Sequence, residues 1–303
     1  MAQDTDLRSE LSAMSAKLDR LTGLVEKLGA DAKQDGKWRM IFRRQLTALI
    51  RAQYLTTDLT APNALQGRRF RLRSQNEEDG VILALLQAAG VSTRRFVEIG
   101  SGGTGGNSAT LAYELGWSGV MLDASGVAVR AALEQFRANP GVMVQRKMVT
   151  SDGINELLGN LGFAGDVDFL SIDIDGPDYW LLDALTVTRS RVLVMEYNAL
   201  FGPERAVTVP DATPAKGTPK GYFGASLAAL EKCARRKGYR LVLCEDAGVN
   251  AFFVRDDLAP QVPTLTAAQA WRPRASRYSV DDAPIVRDVF AEIAAQGLPL
   301  VEV

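Results

Sequence analysis

The chain has 303 residues, with 35 Lys plus Arg, 36 Asp plus Glu and no histidine. The absence of histidine excludes Ser-His-Asp and Cys-His catalysis and histidine-bound zinc, so proton transfer has to use carboxylates, Tyr, Lys or metal-bound water. The two cysteines, Cys233 and Cys244, lack a metal-binding spacing, and no stretch approaches the roughly 18 apolar residues that span a bilayer. These features predict a soluble, cytoplasmic protein without a secretory segment.

The first element is an apolar repeat with alternating spacings of four and three residues, which is typical of a coiled coil. Its members are Leu7, Leu11, Met14, Leu18, Leu21, Val25 and Leu28. We expect residues 1–35 to form a coiled-coil helix that joins copies of the chain into a homo-oligomer through residues 7–28, because a lone helix of this length is marginal in water. The alternative is a helix that packs on the body of its own chain.

Residues 36–73 are predicted to form a basic helix and linker. Between Lys37 and Arg73 the sequence has nine Lys or Arg and one acid, Asp58. Such a helix could contact an anionic membrane surface or a phosphorylated substrate, but a solvated face of a docked helix is the more usual structure and is favoured here.

From residue 74 onward, short apolar runs alternate with helical stretches. The predicted strands are residues 96–99, 119–122, 142–145, 169–172, 192–195, 240–244 and 251–254. The predicted helices between them are residues 79–89, 109–115, 127–137, 179–185 and 226–237. This alternation predicts a parallel, doubly wound α/β sheet. The linker 245–250 is too short for a crossover helix, so the last strand should be antiparallel. Residues 74–258 should therefore form a seven-stranded, Rossmann-like sheet of the class I methyltransferase type, followed by a tail with a helix at 259–303.

The first candidate site follows the first strand of this domain, where residues 96–107 read FVEIGSGGTGGN. Gly100 and Gly102 allow the backbone to approach a ligand closely, and the segment closes at Asn107, a further candidate cofactor residue. Asp123 ends the next strand, where an acid can accept hydrogen bonds from ribose hydroxyls. The glycine pattern alone fits NAD, S-adenosylmethionine or a simple tight turn. Glu98 favours S-adenosylmethionine, because a carboxylate there can face the cationic amino group of methionine but would repel a pyrophosphate.

A second cluster of acids follows the fourth and fifth strands. Asp173 and Asp175 are candidate catalytic residues, and Asp173, Glu196 and Asn198 are candidate ligands for Mg²⁺ or Mn²⁺, which prefer oxygen donors. The methyl group of a sulfonium is already activated, so the protein has to align the acceptor and assist the loss of its proton. In the alternative interpretation, Asp175 and Asp178 cap the helix that begins near residue 179.

Six segments of the sequence resemble the FkbM-like class I S-adenosylmethionine-dependent methyltransferases. They are residues 74–80 (SQNEEDG), 96–100 (FVEIG), 116–123 (GWSGVMLD), 171–176 (SIDIDG), 195–198 (MEYN) and 248–254 (GVNAFFV). The resemblance implies that Glu98, Gly100 and Asp123 bind the cofactor and that Gln75 or Glu78 flanks its pocket.

Members of this family often methylate sugar hydroxyls in glycan or natural-product pathways. Related metal-dependent sugar O-methyltransferases place acids where Asp173 and Glu196 stand. This chain departs from them, since Glu-Tyr-Asn at residues 196–198 replaces paired acids.

The predicted function is methylation of a sugar or glycan-like hydroxyl with S-adenosylmethionine as cofactor, on a small-molecule or glycan substrate. Three alternatives stay open at this point: an NAD-dependent oxidoreductase, a non-catalytic oligomeric scaffold with the methyltransferase fold, and a nucleic-acid methyltransferase. The basic segment motivates the last of these. A net charge of −1 argues against a nucleic-acid partner.

Overall fold

The computed structural model describes residues 64–212, 218–219, 221–274 and 288–303, all of which belong to a unit that spans Thr57–Val303. The predicted coiled coil, its role in oligomerisation and most of the basic segment lie outside the described residues and stay predictions. Within the described part of the chain, every helix is too short or too polar to cross a lipid bilayer.

The described residues contain nine strands in two sheets. They are β1 (Arg95–Ile99), β2 (Ser118–Asp123), β3 (Val142–Arg146), β4 (Gly165–Ile172), β5 (Thr188–Glu196), β6 (Val207–Thr208), β7 (Tyr239–Cys244), β8 (Asn250–Arg255) and β9 (Val301–Glu302). Seven of them form the main sheet in the order β3-β2-β1-β4-β5-β8-β7. The first five strands are parallel, and β8 runs antiparallel to both β5 and β7. This is the predicted class I methyltransferase sheet with its antiparallel last strand.

Eight α-helices accompany these strands in the described residues. They are α1 (Glu78–Ala89), α2 (Ala109–Leu115), α3 (Gly126–Phe136), α4 (Ile154–Asn160), α5 (Asp178–Ala184), α6 (Leu227–Arg236), α7 (Ala267–Ala270) and α8 (Val289–Ala295). Side chains immediately before two helices determine where they begin, because the hydroxyl groups of Ser125 and Ser226 accept hydrogen bonds from the first turns of α3 and α6. Helix α4 was not predicted from the sequence.

The core lies along the central strands, whose residues are buried almost throughout. Phe96, Phe169, Phe252 and Phe253 are among the largest side chains with no exposed surface. Central parallel strands are covered by other elements, so they consist of continuous apolar runs rather than alternating ones. This packing holds the carboxyl ends of β1, β2, β4 and β5 in fixed positions at one edge of the sheet.

A second, smaller core joins the segment between β5 and α6 to the C-terminal residues. Its buried members are Phe201, Val207, Val209, Tyr222, Val289 and Ile293. The strand β9 pairs with β6, and the Tyr222 hydroxyl donates a hydrogen bond to the Pro299 carbonyl oxygen at 2.8 Å. The C-terminal helix predicted within residues 259–303 thus packs on the β5–α6 connection, which leads into the functional site.

Candidate functional site

A cavity of about 680 Å³ opens at the carboxyl ends of the central strands. Its volume is in the range of small-molecule and cofactor sites. The sequence-predicted residues that line it are Gln75, Gly100, Gly102, Asp123, Asp173, Asp175 and Glu196. Four others, Glu78, Glu98, Asn107 and Asn198, are buried in the surrounding structure and are not on the cavity wall.

The glycine turn after β1 packs directly against the end of β4. Gly100 has φ +91°, and a Cβ atom placed on it would lie 1.6 Å from the carbonyl oxygen of Asp173. The backbone N–H of Asp173 also donates to the Ile99 carbonyl oxygen at 2.9 Å. Only glycine fits at position 100, and its small size brings the turn into contact with the acidic cluster.

Asp123 lies at the end of β2, on the cavity wall, as the sequence predicted. Its Oδ2 atom accepts a hydrogen bond from the Gly102 N–H at 2.8 Å, and its Oδ1 atom accepts one from the Ser125 N–H at 2.7 Å. Helix α3 is capped by the Ser125 side chain and not by Asp123. The carboxylate of Asp123 therefore orients the glycine turn, and its contact with a ribose stays a prediction.

Glu98 has a different position from the one expected for a partner of the cofactor amino group. It is completely buried beneath the glycine turn. Its carboxylate accepts hydrogen bonds from the Asn107 N–H at 3.1 Å, the Ser108 N–H at 2.9 Å and the Ser108 hydroxyl. Burial raises the pKa of Glu98 to about 8, although these hydrogen bonds favour the charged form and lower it. Glu98 therefore anchors the segment that follows the glycine turn, and its direct contact with the cofactor stays a prediction.

Glu78 and Asn107 also support the site from outside the cavity. Glu78 accepts hydrogen bonds from Asn76 and from the Asn250 side chain, the latter at 3.0 Å. The Asn107 amide donates to the Ser171 hydroxyl at 3.1 Å. These contacts favour structural roles for both residues, and their predicted roles as cofactor ligands stay predictions.

Three carboxylates converge at the ends of β4 and β5. One carboxylate oxygen from each of Asp173, Asp175 and Glu196 lies within 4.8 Å of the other two. Glu196 is only 3% exposed, and its Oε2 atom has no hydrogen-bond partner. An unpartnered, buried carboxylate oxygen indicates that a proton or a cation completes this cluster.

The electrostatics of the cluster follow from burial and mutual repulsion. Burial, together with the like charges of Asp178 and Asp175, raises the pKa of Asp173 to about 7. Burial also raises the pKa of Glu196 well above its ordinary value, with Asp173 adding to the effect. Without a cation nearby, the cluster therefore retains protons near neutral pH.

The metal-ligand role predicted for Asn198 stays a prediction, and the contacts of its side chain favour a structural role. Its amide nitrogen donates to the carbonyl oxygens of Gly221 and Phe223 at 2.8 and 2.9 Å, and its Oδ1 accepts from the Leu200 N–H at 3.0 Å. Asp175 lies beside Asp173 and Glu196. Three carboxylates form a donor set that suits Mg²⁺ or Mn²⁺.

Asp178 shapes the turn that presents Asp175. This buried carboxylate accepts hydrogen bonds from the Ile174 N–H at 2.8 Å and the Gly176 N–H at 3.0 Å. Asp175 lies between these two donors, with φ +52° and an exposed side chain. Asp178 therefore stabilises the left-handed backbone that places Asp175 at the cavity, and Asp175 does not cap the helix.

Arg274 is a wall residue that the sequence analysis missed. Its Nη1 atom lies 3.6 Å from the Glu196 Oε1 atom, and its guanidinium carbon lies 5.5 Å from the centroid of the Phe223 ring. Arg274 follows α7 in an irregular segment, outside the strand–helix pattern that located the other residues. No local sequence signal identifies such a position, because only the tertiary fold brings it to Glu196.

Residues 147–152, which follow β3, form another part of the cavity wall. The Lys147 N–H donates to the Asp123 carbonyl oxygen at 2.8 Å. The Ser151 hydroxyl donates to the carboxylate of Asp211, a wall residue of the β5–α6 connection. This contact joins two separate segments of the wall.

Comparisons with known proteins give no sequence match and several structural ones. No family model matches the chain. No curated protein matches it. Among solved structures, the N-terminal domain of EvdMO1 with SAH bound is 14% identical, with a TM-score of 0.41, and the match covers 70% of this chain and 94% of that chain.

Two further structures are similar to the same extent. The METTL16 MTase domain is 15% identical, with a TM-score of 0.41, over 78% of this chain and 92% of that chain. Ribosomal protein L11 methylase from Lactobacillus delbrueckii subsp. bulgaricus is 17% identical, with a TM-score of 0.38, over 62% of this chain and 82% of that chain. At these identities, the likeness is one of fold.

Proposed function

We propose that the chain is an S-adenosylmethionine-dependent methyltransferase that methylates a hydroxyl group of a sugar or glycan-like acceptor. The observation that carries this proposal is the convergence of the glycine turn, Asp123 and the three-carboxylate cluster on one cavity of a class I methyltransferase sheet. Membership of the FkbM-like family is part of the same proposal and is supported by the sequence segments that line or support this cavity.

The residues of one end of the cavity suit the cofactor. Gly102 leaves open space beside the backbone, and Asp123 and Gln75 offer polar side chains to the same cavity. When bound, S-adenosylmethionine supplies an electrophilic methyl group on a sulfonium. The sheet order also differs from the order 3-2-1-4-5-6 of dinucleotide-binding domains, which makes NAD the weaker candidate.

The acidic end of the cavity suits an alcohol acceptor. A hydroxyl group is a weak nucleophile and needs a base to take its proton as the new bond forms. With its pKa raised to about 7, Asp173 can accept and release a proton near neutral pH. Asp173 is therefore the proposed general base, and Asp175 the proposed second acceptor of hydrogen bonds from the substrate.

In a second form of the proposal, the same acids bind a divalent cation, and Asp173 is then a ligand of that cation instead of the general base. Asp173, Asp175 and Glu196 would hold Mg²⁺ or Mn²⁺, which would lower the pKa of a nearby hydroxyl group. The buried, unpartnered Oε2 atom of Glu196 supports this assignment. Arg274, which lies beside Glu196, would balance part of the remaining negative charge.

A ligand-stabilisation experiment tests the cofactor. Thermal unfolding of the full chain should shift upward with micromolar S-adenosylhomocysteine and should not shift with millimolar NAD, because only a ligand that binds the folded state stabilises it. The opposite result would assign the chain to the oxidoreductases. Stabilisation by neither ligand would contradict both assignments.

A labelled-methyl experiment tests the reaction. Incubation with methyl-labelled S-adenosylmethionine and neutral glycan fractions should transfer the labelled methyl group to a hydroxyl oxygen. NMR of the product should then show a labelled methyl ether. Strong cofactor binding without transfer to any fraction of a cell extract would favour the scaffold alternative instead.

A further inference from the structure

Strand β3 (Val142–Arg146) is the terminal strand of the main sheet on the side away from β7. It pairs with β2 on one side, and among the described residues none pairs with its other side. All five of its residues are exposed or partly exposed, whereas the central strands are buried almost throughout. Within the described part of the chain, β3 therefore presents an open edge of the sheet.

The backbone groups that point out from this edge follow from the pairing with β2. The Gly141 carbonyl oxygen accepts a hydrogen bond from β2, and the Lys147 N–H donates one to β2. In a parallel pair, alternate residues bond to the same neighbour, so Val142, Val144 and Arg146 direct their backbone groups outward. The Val142 N–H bonds within the preceding turn, which leaves the N–H groups of Val144 and Arg146 for a further strand.

Helix α3 borders the same edge. Its Gln135 side chain donates to the Thr104 carbonyl oxygen at 2.8 Å, so that side of α3 faces the glycine turn after β1. Because β1 and β3 lie on opposite sides of β2, the other side of α3 faces the open edge. Arg130, Leu133 and Arg137 lie on this free side, at spacings of three and four residues.

The free side of α3 and the outer edge of β3 form one surface, the edge surface. Its members, all exposed or partly exposed, are Arg130, Leu133, Arg137, Val142, Val144 and Arg146. The Arg146 guanidinium carbon would lie 3.6 Å from a Cβ placed on Gly126, at the start of α3. Glu134 lies 3.6 Å from Arg137, but an ion pair between such exposed side chains contributes little. The edge surface is thus cationic, with apolar residues between its charges.

We propose that the edge surface binds an extended acidic segment of a partner protein, which joins the main sheet as a strand beside β3. The outward backbone groups of β3 pair with that strand, and the arginines attract its carboxylates. The same arginines would repel the edge surface of a second copy, and a nucleic acid would make no use of the strand edge. Because β3 leads into wall residues 147–152, the partner would lie next to the cavity. The inference does not depend on the proposed function.

Fluorescence polarisation with a labelled peptide tests the backbone part of this proposal. The probe is a peptide of about eight residues that alternates Glu and Val, and the control peptide has Lys in place of Glu. Val144→Pro removes an outward N–H without removing a hydrogen bond to β2, and proline is tolerated at such positions of edge strands. Val144→Ala is its control, because it shortens the side chain and keeps the N–H.

Two triple variants test the charge part. The first carries Arg130→Gln, Arg137→Gln and Arg146→Gln. The second removes the same number of charges from exposed arginines outside the edge surface, and it carries Arg189→Gln, Arg205→Gln and Arg235→Gln. Thermal unfolding checks that each variant is folded.

The unaltered chain should bind the acidic peptide and not the basic one, with an affinity that falls as salt rises from about 50 to about 300 mM. Val144→Pro should weaken binding by at least about fivefold, and Val144→Ala by less than about threefold. The edge-surface triple variant should weaken it by about tenfold, and the control triple by less than about twofold. The triple variants still test the proposal if Val144→Pro fails to fold.

Several results would overturn the proposal. Equal affinities of Val144→Pro and Val144→Ala would exclude strand addition, and equal affinities of the two triple variants would exclude recognition by charge. Failure of the acidic peptide to bind the unaltered chain would refute both parts. Self-association that Val144→Pro abolishes would assign the edge to a second copy of the chain. A single-stranded oligonucleotide that binds the unaltered chain and Val144→Pro equally, and more tightly than the peptide, would assign the surface to nucleic acid.

Discussion

The carboxylate of Asp123 and the backbone N–H of Gly102 form a 2.8 Å hydrogen bond that joins the end of β2 to the glycine turn after β1. The two residues line the same cavity, and the bond sets their relative position before any ligand arrives. A prearranged site of this kind reduces the cost of ordering residues on binding.

Replacement of Asp123 should therefore weaken cofactor binding more than it weakens the fold. We expect Asp123→Ala to lower the affinity for S-adenosylhomocysteine by at least about tenfold, because about 1.4 kcal/mol is lost with one charged hydrogen bond to the ligand or the turn. Calorimetry measures the affinity, and Asp166→Ala is the control at a distant exposed acid. Equal affinities in the two variants would contradict a binding role for Asp123.

A pair of glycine substitutions isolates the contact between the turn and Glu98. Gly102 and Gly106 have nearly equal φ values of +55° and +56°. A Cβ at Gly106 would lie 2.2 Å from the Glu98 Oε1 atom, whereas a Cβ at Gly102 meets nothing within 4 Å. Gly102→Ala should cost about 1 kcal/mol from backbone strain alone, and Gly106→Ala should cost roughly 2 kcal/mol more from overpacking.

Urea denaturation measures both free energies of unfolding. Because the backbone strain is matched, the difference between the two variants reports the steric conflict with Glu98. Equal destabilisation by the two substitutions would mean that Glu98 can move away from Gly106 at little cost.

The raised pKa of Glu98 makes the stability of the protein depend on pH. An unfolded glutamate titrates near the ordinary value of 4.5, and Glu98 in the folded state titrates near 8. Between these values the folded state keeps a proton that the unfolded state has lost, so the contribution of Glu98 to the free energy of unfolding falls as pH rises. That contribution is fully present below about pH 4.5 and is lost above about pH 8.

The variant Glu98→Gln removes this titration. Urea denaturation in steps of about half a pH unit measures the free energy of unfolding of both proteins. The value for the unaltered chain, minus the value for the variant, should decline between pH 5 and 8. Glu134→Gln, at an exposed glutamate of α3, is the control. A difference between unaltered chain and Glu98→Gln that stays constant with pH would contradict the prediction.

The proposed metal site makes different predictions for Glu196 and for its near neighbour Asn198. Glu196→Gln and Asp173→Asn should abolish the binding of Mn²⁺, because each removes a carboxylate of the cluster. Asn198→Ala should retain it within about threefold, since the Asn198 amide holds the β5–α6 connection instead. Electron paramagnetic resonance of free Mn²⁺ measures the binding. Loss of Mn²⁺ in Asn198→Ala but not in Glu196→Gln would reverse this assignment.

The sheet could be predicted from the sequence because buried parallel strands have a strong local signal. The predicted strand at residues 169–172 is an apolar run, and the observed strand, Gly165–Ile172, contains it and begins four residues earlier. The short linker between β7 and β8 correctly predicts that these two strands are antiparallel. The two-residue strands β6 and β9 have no such signal, since they form only when distant segments meet. Helix α4 was missed because it contains Gly159, which lowers the helix propensity of so short a segment.

The candidate site could be predicted only in part, for a related reason. Acids at strand ends are brought together by the topology, and this placed Asp123, Asp173 and Glu196 correctly on the cavity. The orientation of a side chain depends on local backbone donors, which is why Glu98 and Asn198 form internal hydrogen bonds instead. Arg274 comes from an irregular segment and requires the three-dimensional structure.

The position of β8 between β5 and β7 has a consequence for how the sheet assembles. In the main sheet, β7 has β8 as its only neighbour, although β8 comes later in the chain. During synthesis, residues 239–244 therefore emerge before the strand that will bind them exists. The hairpin of β7 and β8 can close only after residues 250–255 have emerged, so we expect this edge of the sheet to form late, after the first five strands have paired.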